Sequence, residues 1–177
     1  MHILLTRPLE DCSDMILRFK ELGHRVSHLP LLLIESVKHD LVEFDDYKAI
    51  IFTSANAIKF LDIKKIDKKI FCFCVGSATE KKAKSVGFQN IFVADGNVAN
   101  LKELIFQNFE TSQGKIVYVS GELLSSNLDQ TLINHGYQIK RIVNYKTIHN
   151  EKFDERFVEE LKLDIPDITY IYSQNSA

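Results

Sequence analysis

The sequence has little net charge, because its 22 lysines and arginines nearly balance its 24 aspartates and glutamates and leave a formal charge of −2. Without a global positive field, a protein does not collect nucleic acid or an acidic membrane surface by charge alone. We therefore expect neither nucleic acid nor a membrane as a partner. Any polyanionic ligand must be held by local groups.

Long apolar runs are also missing, since no stretch approaches the roughly 20 residues of a membrane-spanning helix. The chain passes directly into a short apolar strand, HILLT, at its amino terminus. A signal peptide would place a basic region and a longer apolar run there, so we expect none.

Cysteine is scarce, with three residues in all: Cys12, Cys72 and Cys74. An odd number, of which two alternate within one apolar stretch, is typical of reduced thiols in a cytoplasmic protein. The C-x-C pair has no nearby histidine or third cysteine, and the histidines are scattered without ligand spacing, so we expect no metal site. The motifs G-x-G-x-x-G and G-x-x-x-x-G-K are absent as well, which argues against dinucleotide binding.

The pattern that is present belongs to an α/β protein. With 177 residues, of which 45% are hydrophobic, the chain can bury a core and form one or two domains. Between residues 36 and 148, apolar strands alternate with amphipathic helices, which predicts a parallel, doubly wound sheet.

The most informative stretch is AIIFTSANAIKF, from Ala49 to Phe60. An apolar strand changes abruptly into two hydroxyl residues, Thr53 and Ser54, and then into a helical pattern. In a parallel sheet such a turn lies at the carboxyl end of the strand, where the first N–H groups of the next helix lack partners. The turn therefore predicts a site for anions.

Similar turns follow three other predicted strands, at Gly76–Thr79, Ser120–Glu122 and Ser173–Ser176. The last lies in a segment, Thr169–Ala177, that resembles the central stretch at an offset of 120 residues. Shared chemistry at these strand ends predicts a common crevice. Chance recurrence of short pieces is the alternative.

Near the amino terminus, the sequence predicts a strand at His2–Thr6 and a helix capped by Asp11, Cys12 or Ser13. The next predicted strand, Arg25–Glu35, contains Pro30. Because proline cannot donate a ladder hydrogen bond, this strand should lie at an edge or leave its sheet there.

The order of elements predicts two domains. Residues 1–34 and 149–177 form a discontinuous first domain, and residues 37–144 form an inserted second domain. The chain then crosses between them near 31–37 and 143–148, and two extended crossings side by side predict a two-stranded hinge.

The sequence resembles the uroporphyrinogen-III synthase family along its whole length. The resemblance is carried, in order, by ILLTRP, GHRVSHLPLLLIE, AIIFTSANAIKF, CVGSATEKKAKSVGF, VSGELLSSNLDQTLINHGYQIKRIVNYKT and IYSQNSA. It implies two α/β domains joined by a two-stranded ladder. It also implies a lyase of haem biosynthesis that needs no cofactor and cyclises hydroxymethylbilane, inverting the terminal ring through a spiro intermediate.

The resemblance and the turns together suggest the site residues. Tyr145, in NYKT, matches the tyrosine of the family's VYxT motif and is the predicted acid, with simple packing as the alternative. For the hydroxyl residues among the predicted contacts to the substrate's carboxylates, simple helix capping is the alternative role. The predicted contacts are Thr6, Arg7, Thr53, Ser54, Ala55, Asn56, Gly76, Ser77, Ala78, Thr79, Ser120, Gly121, Glu122, Ser173, Asn175 and Ser176.

The sequence departs from the family in two respects. Ser120, Ser125 and Ser126 stand where the family commonly has basic residues. The chain also stops at Ala177, where the family continues with further strands and helices, so we expect an incomplete first domain with exposed apolar surface. The resemblance further implies a cytoplasmic monomer that receives its substrate transiently from hydroxymethylbilane synthase.

Two functions of other classes fit parts of the pattern. A non-catalytic two-domain binder of a carboxylated or phosphorylated metabolite would use the same hydroxyl turns and hinge. A receiver-like signalling module would need acidic residues at the ends of its first and third strands, where the sequence has Thr6-Arg7 and Gly76-Ser77 instead.

Overall fold

Strands and helices alternate along the protein in a computed structural model, which describes residues 1–171. The strands are β1 (His2–Leu5), β2 (Arg25–His28), β3 (Leu32–Ser36), β4 (Tyr47–Phe52), β5 (Phe71–Val75), β6 (Asn90–Ala94), β7 (Lys115–Gly121), β8 (Ile139–His149) and β9 (Ile168–Tyr170). The helices are α1 (Leu9–Glu21), α2 (Ala55–Lys59), α3 (Gly76–Ser85), α4 (Val98–Asn108), α5 (Leu128–Asn134) and α6 (Glu155–Leu163). The predicted α/β class is confirmed.

The chain divides into two compact units. The first unit contains Met1–Glu35 and the chain from Thr147 onward, and the second unit contains Ser36–Lys146. The predicted domain organisation and its two-stranded hinge stay predictions. Within residues 1–171, no helix is long and apolar enough to cross a membrane.

The first unit contains a three-stranded parallel sheet in the order β2-β1-β9. Helix α1 packs against it through Cys12, which lies in the small core with Ile3 and Leu5. This helix begins directly after Pro8, so the predicted cap at Asp11, Cys12 or Ser13 is wrong. Pro8 is the N-cap residue and makes no side-chain hydrogen bond to the helix, but because proline lacks an N–H it removes one of the donors that a helix start leaves unpaired.

Pro30 marks the point where the chain leaves this sheet. Strand β2 ends at His28 on the sheet's edge, and β3 begins at Leu32 in the other sheet. The sequence prediction that Pro30 interrupts the strand is therefore confirmed.

The second sheet has six strands in the order β3-β8-β7-β4-β5-β6, and the pairs from β8 to β6 are parallel. Strand β4 lies inside it, and four of its residues, Ala49–Phe52, are fully buried. Ile50 and Phe52 pack with α2 and α3 on one face, whereas Ala49 and Ile51 pack with α4 and α5 on the other. Burial on both faces explains the uninterrupted apolar run in β4.

All three cysteines are buried and free of disulfides. Cys72 and Cys74 lie on the same face of β5 with their Sγ atoms 3.7 Å apart. The hydrogen bond between these two thiols, together with burial, raises the pKa of Cys72, and burial raises the pKa of Cys12. Cys12 and Cys72 are therefore protonated at neutral pH.

The strand order changes direction at β4. From β4 the chain continues through β5 and β6 on one side, and it then returns to β7 and β8 on the other side. The connections after β4 and β7 therefore diverge at the carboxyl ends of two adjacent strands. In open α/β sheets, such a switch point opens a crevice in which ligands bind.

Candidate functional site

A cavity of about 330 Å³ lies at this switch point, entirely within the second unit. Its lining includes three residues that carry a hydroxyl group: Thr53, after β4, Tyr118, on β7, and Tyr145, on β8. Asn97 caps the amino terminus of α4 beside them, and its side chain accepts a hydrogen bond from the N–H of Asn100. The cavity therefore combines hydroxyl donors with a helix amino terminus, an arrangement suited to an anion.

Tyr118 is the most buried of these groups. Its side chain packs in the core cluster on the α4 and α5 face, and the residue is only 2% exposed. Its hydroxyl lies 3.3 Å from Thr53 Oγ1. Burial raises the pKa of Tyr118, so the phenol keeps its proton at neutral pH.

Tyr145 lies against the end of β7. A Cβ atom built on Gly121 would come within 2.8 Å of Tyr145 Cε2 and Cζ and within 3.0 Å of its hydroxyl oxygen. The next residue, Glu122, donates its backbone N–H to the carbonyl oxygen of Tyr145 at 2.9 Å. Glycine at position 121 is therefore required for the ring to lie where it does.

Arg141, which the sequence analysis did not identify, forms hydrogen bonds to the carboxyl end of β7. Its Nε donates to Ser120 Oγ at 2.9 Å, and its Nη2 donates to the carbonyl oxygens of Gly121 and Glu122 at 2.8 and 2.9 Å. Ser120 is fully buried, and its hydroxyl also donates to Gly121 O at 3.1 Å. Ser120 and Gly121 belong to β7, so the prediction that they form a turn is wrong.

Asn144 connects β8 to the helix that follows Thr53. It is fully buried, and its Nδ2 donates to Ala57 O in α2 at 2.7 Å. Its backbone carbonyl accepts from Val37 N at 2.9 Å. This side chain ties the strand that carries Tyr145 to the α2 segment.

The predicted contacts around β4 fall into two groups. Thr53 lines the cavity, whereas Ser54 caps α2 by accepting from the N–H of Asn56 at 3.2 Å. The remaining members of this turn, Ala55 and Asn56, are the first residues of α2 and are partly exposed. Helix capping, the alternative role for such hydroxyls, is therefore what Ser54 performs.

The predicted turn after β5 does not exist, because α3 begins at Gly76 immediately after the strand. Gly76 makes the sharp change of direction itself, with a φ of 77° that residues with a side chain rarely adopt. Ser77 and Ala78 lie in the first turn of α3, and Thr79 is 4% exposed. In this region it is Val75, the last residue of β5, that lines the cavity.

The predicted residues of the first unit have structural partners. Thr6 is buried and donates to Tyr170 O of β9 at 2.7 Å, which fastens that strand to β1. Arg7 forms an ion pair with Asp11 at 3.4 Å. The predicted contacts Ser173, Asn175 and Ser176 lie outside the described residues.

Sequence reasoning missed Tyr118 and Arg141 for different reasons. Tyr118 lies within an apolar run, where an aromatic residue indicates a core position, although it also lines the cavity. Arg141 alternates with apolar residues along β8 and resembles a solvent-facing position. Its partners become evident once the register pairs Ser120 with Val143.

A family model described as uroporphyrinogen-III synthase HemD matches residues 13–177 of the chain. A comparison with curated protein sequences gave no match.

Two solved structures share the fold. The chain is similar to the crystal structure of uroporphyrinogen-III synthetase from Helicobacter pylori 26695, with 17% identity, a TM-score of 0.59 and coverage of 98% of this chain and 80% of that one. It is also similar to a mutant uroporphyrinogen III synthase from the extremely thermophilic bacterium Thermus thermophilus, with 15% identity, a TM-score of 0.52 and coverage of 92% and 69%.

Proposed function

The chain belongs to the uroporphyrinogen-III synthase HemD family, and from this premise we propose that it converts hydroxymethylbilane into uroporphyrinogen III. The cavity at the switch point of the second unit carries the proposal. Its lining brings together three residues with hydroxyl groups, Thr53, Tyr118 and Tyr145, and the amino terminus of α4. A linear tetrapyrrole with eight carboxylates needs such local donors, because the protein's net charge of −2 offers it no general attraction.

The proposed reaction is a dehydration followed by a rearrangement. The hydroxymethyl carbon loses its hydroxyl as water, and the resulting electrophile is attacked by the substituted carbon of the terminal pyrrole. The spiro intermediate fragments and closes again with that ring inverted. No electrons are gained or lost overall, so neither an oxidant nor a cofactor is required.

Tyr145 is the proposed acid. A phenol is protonated at neutral pH and can donate to the departing hydroxyl, and acid catalysis of this kind typically contributes about 10² to 10⁴ in rate. The contact with Gly121 and the backbone hydrogen bond from Glu122 restrict where its ring can lie. Such restriction is what positioned acid catalysis needs, since small displacements reduce the rate strongly.

Substrate carboxylates are proposed to bind at the donors of this cavity. The start of α4, Thr53 and Ser125 all line it. A helix amino terminus contributes about 0.3–1 kcal/mol to an anion, and a charge-assisted hydrogen bond about 1.5–3 kcal/mol. The other predicted contacts, including Arg7, remain proposals, as do the cytoplasmic location, the monomeric state and transfer of the substrate from hydroxymethylbilane synthase.

The isomer ratio of the product tests the proposal. Freshly generated hydroxymethylbilane is supplied to the protein, the products are oxidised, and the type I and type III uroporphyrins are separated by chromatography. We expect type III in excess over a protein-free control. We also expect Tyr145→Phe to lower kcat by about 10² or more, since it removes the hydroxyl while keeping the ring.

Tyr137→Phe is the matched control. It removes a phenol that donates to Phe109 O at 2.7 Å and does not line the cavity, so activity should be retained. Type I product alone, formed at the rate of the protein-free control, would contradict the proposed function. Full activity of Tyr145→Phe would contradict the role of Tyr145 but leave the function standing.

A further inference from the structure

Tyr118 has the surroundings of a core residue, but it also lines the cavity. The ring packs among apolar residues of β7 and α5, such as Ile116, Leu128 and Leu132. The residue nevertheless contributes to the wall of the cavity, next to Thr53. A purely apolar residue would fill this part of the core equally well, so the hydroxyl calls for a separate explanation.

The hydroxyl pairs with the side chain of Thr53. Thr53 Oγ1 lies 3.3 Å away, and either oxygen can donate in this geometry. A phenol is a much stronger acid than an alkyl hydroxyl, so the favoured arrangement has Tyr118 donating and Thr53 accepting. The proton of the Thr53 hydroxyl is then left for another acceptor. Thr53 is partly exposed at the cavity wall, so that acceptor can be a ligand.

We propose that Tyr118 is a positioning residue that turns the Thr53 hydroxyl toward a carboxylate of the tetrapyrrole bound in this cavity. The inference rests on the proposed function. It assigns to Tyr118 a role in substrate affinity and none in the chemical step. Tyr145 retains the role of acid.

Tyr137 shows how a phenol with a structural role differs. It packs in the same core cluster as Tyr118, and its hydroxyl donates to the backbone carbonyl of Phe109 at 2.7 Å. That bond satisfies a buried acceptor and involves no group at the cavity. The two tyrosines therefore share burial, cluster and chemistry, and they differ in whether the hydroxyl acts on a residue of the site.

The test uses the full chain and compares Tyr118→Phe, Thr53→Val, the double variant and Tyr137→Phe. Initial rates of type III formation are measured over a range of hydroxymethylbilane concentrations. We expect Tyr118→Phe to raise KM about three- to tenfold with kcat changed less than about twofold, as for loss of one neutral hydrogen bond. In the Thr53→Val background, Tyr118→Phe should change KM by less than about twofold. Tyr137→Phe should leave both constants near those of the parent chain.

The outcomes separate this inference from the function on which it rests. If the parent chain forms no type III product, the proposed function fails and the inference fails with it. If the parent chain is active and Tyr118→Phe leaves KM unchanged, the inference alone is overturned. It is also overturned if Tyr118→Phe raises KM equally with and without the Thr53 hydroxyl, or if Tyr137→Phe raises KM to the same extent. The inference is supported if Tyr118→Phe raises KM in the parent chain but leaves KM nearly unchanged in the Thr53→Val variant.

Discussion

The contact between Gly121 and Tyr145 allows a quantitative prediction for Gly121→Ala. The added Cβ would lie 2.8 Å from Tyr145 Cε2 and Cζ, whereas ordinary contacts begin near 3.4 Å. The ring must therefore move by at least about 0.6 Å, the difference between 3.4 and 2.8 Å. Gly121 has no positive φ, so the substitution adds no backbone strain and its effects come from this contact.

Two effects of Gly121→Ala follow from the displacement. Forcing a methyl group into a packed site costs about 1–3 kcal/mol of folding free energy. A catalytic group moved by a fraction of an ångström to about 1 Å loses up to about 10² in rate. We expect kcat for type III formation to fall between about tenfold and a hundredfold, with a lower free energy of unfolding in urea.

A second variant tests whether the ring of Tyr145 is responsible. In Gly121→Ala combined with Tyr145→Leu, the ring edge that meets the new Cβ is gone, so the stability should largely return although activity should not. Full activity and unchanged stability of Gly121→Ala would refute the contact. A stability loss that persists in the double variant would refute its attribution to Tyr145.

Three further predictions concern stability. Arg141→Gln should lower the free energy of unfolding in urea by about 2–3 kcal/mol, because the guanidinium's hydrogen bonds to the end of β7 are lost. An unchanged urea midpoint would show that these hydrogen bonds do not stabilise the fold. Asn144→Ala should cost about 1–3 kcal/mol, because Ala57 O is left without its buried donor, and a loss below about 0.5 kcal/mol would contradict this. Stability should also decrease as the pH falls: burial lowers the pKa of His2, whose Nε2 lies 2.8 Å from Ser27 Oγ, so the unfolded chain binds this proton more readily. The contribution of neutral His2 to folding stability is present above its unfolded pKa near 6.5 and is lost as the pH falls through its lower folded pKa. The difference in thermal unfolding temperature between about pH 7.5 and about pH 5 should therefore be smaller for His2→Gln than for the parent chain.

Much of the fold follows from local pattern in the sequence. The apolar run FCFCV stops at Gly76, and the structure ends β5 at Val75, directly before that glycine. The missing N–H of Pro30 is enough to predict that the strand leaves its sheet there or lies at an edge, and β2 indeed ends at His28. The long strand β8 likewise follows a segment, QIKRIVNYKTI, in which apolar and polar residues alternate well enough to indicate a strand. In each case the determining feature lies within a few residues of the element.

The errors concern features whose cause is distant in sequence or hidden in backbone geometry. The sequence predicts a turn at Gly76–Thr79, but the positive φ of Gly76 lets the helix begin at once. Ser120 was placed in a turn, but pairing with β8 extends the strand, and Arg141, 21 residues away, satisfies its hydroxyl. Tyr118 could not be assigned to the cavity until the strand order placed β7 beside β4.

The three buried thiols allow local opening of the core to be measured by chemical labelling. Cys12 lies in the core of the first unit, whereas Cys72 and Cys74 lie in the core of the second. A thiol reagent added under native conditions can react only when the surrounding core opens, because all three thiols are buried and Cys12 and Cys72 are protonated. The labelling rate of Cys12 therefore reports local opening of the first unit, and the labelling rate of Cys72 and Cys74 reports local opening of the second unit. No probe has to be introduced.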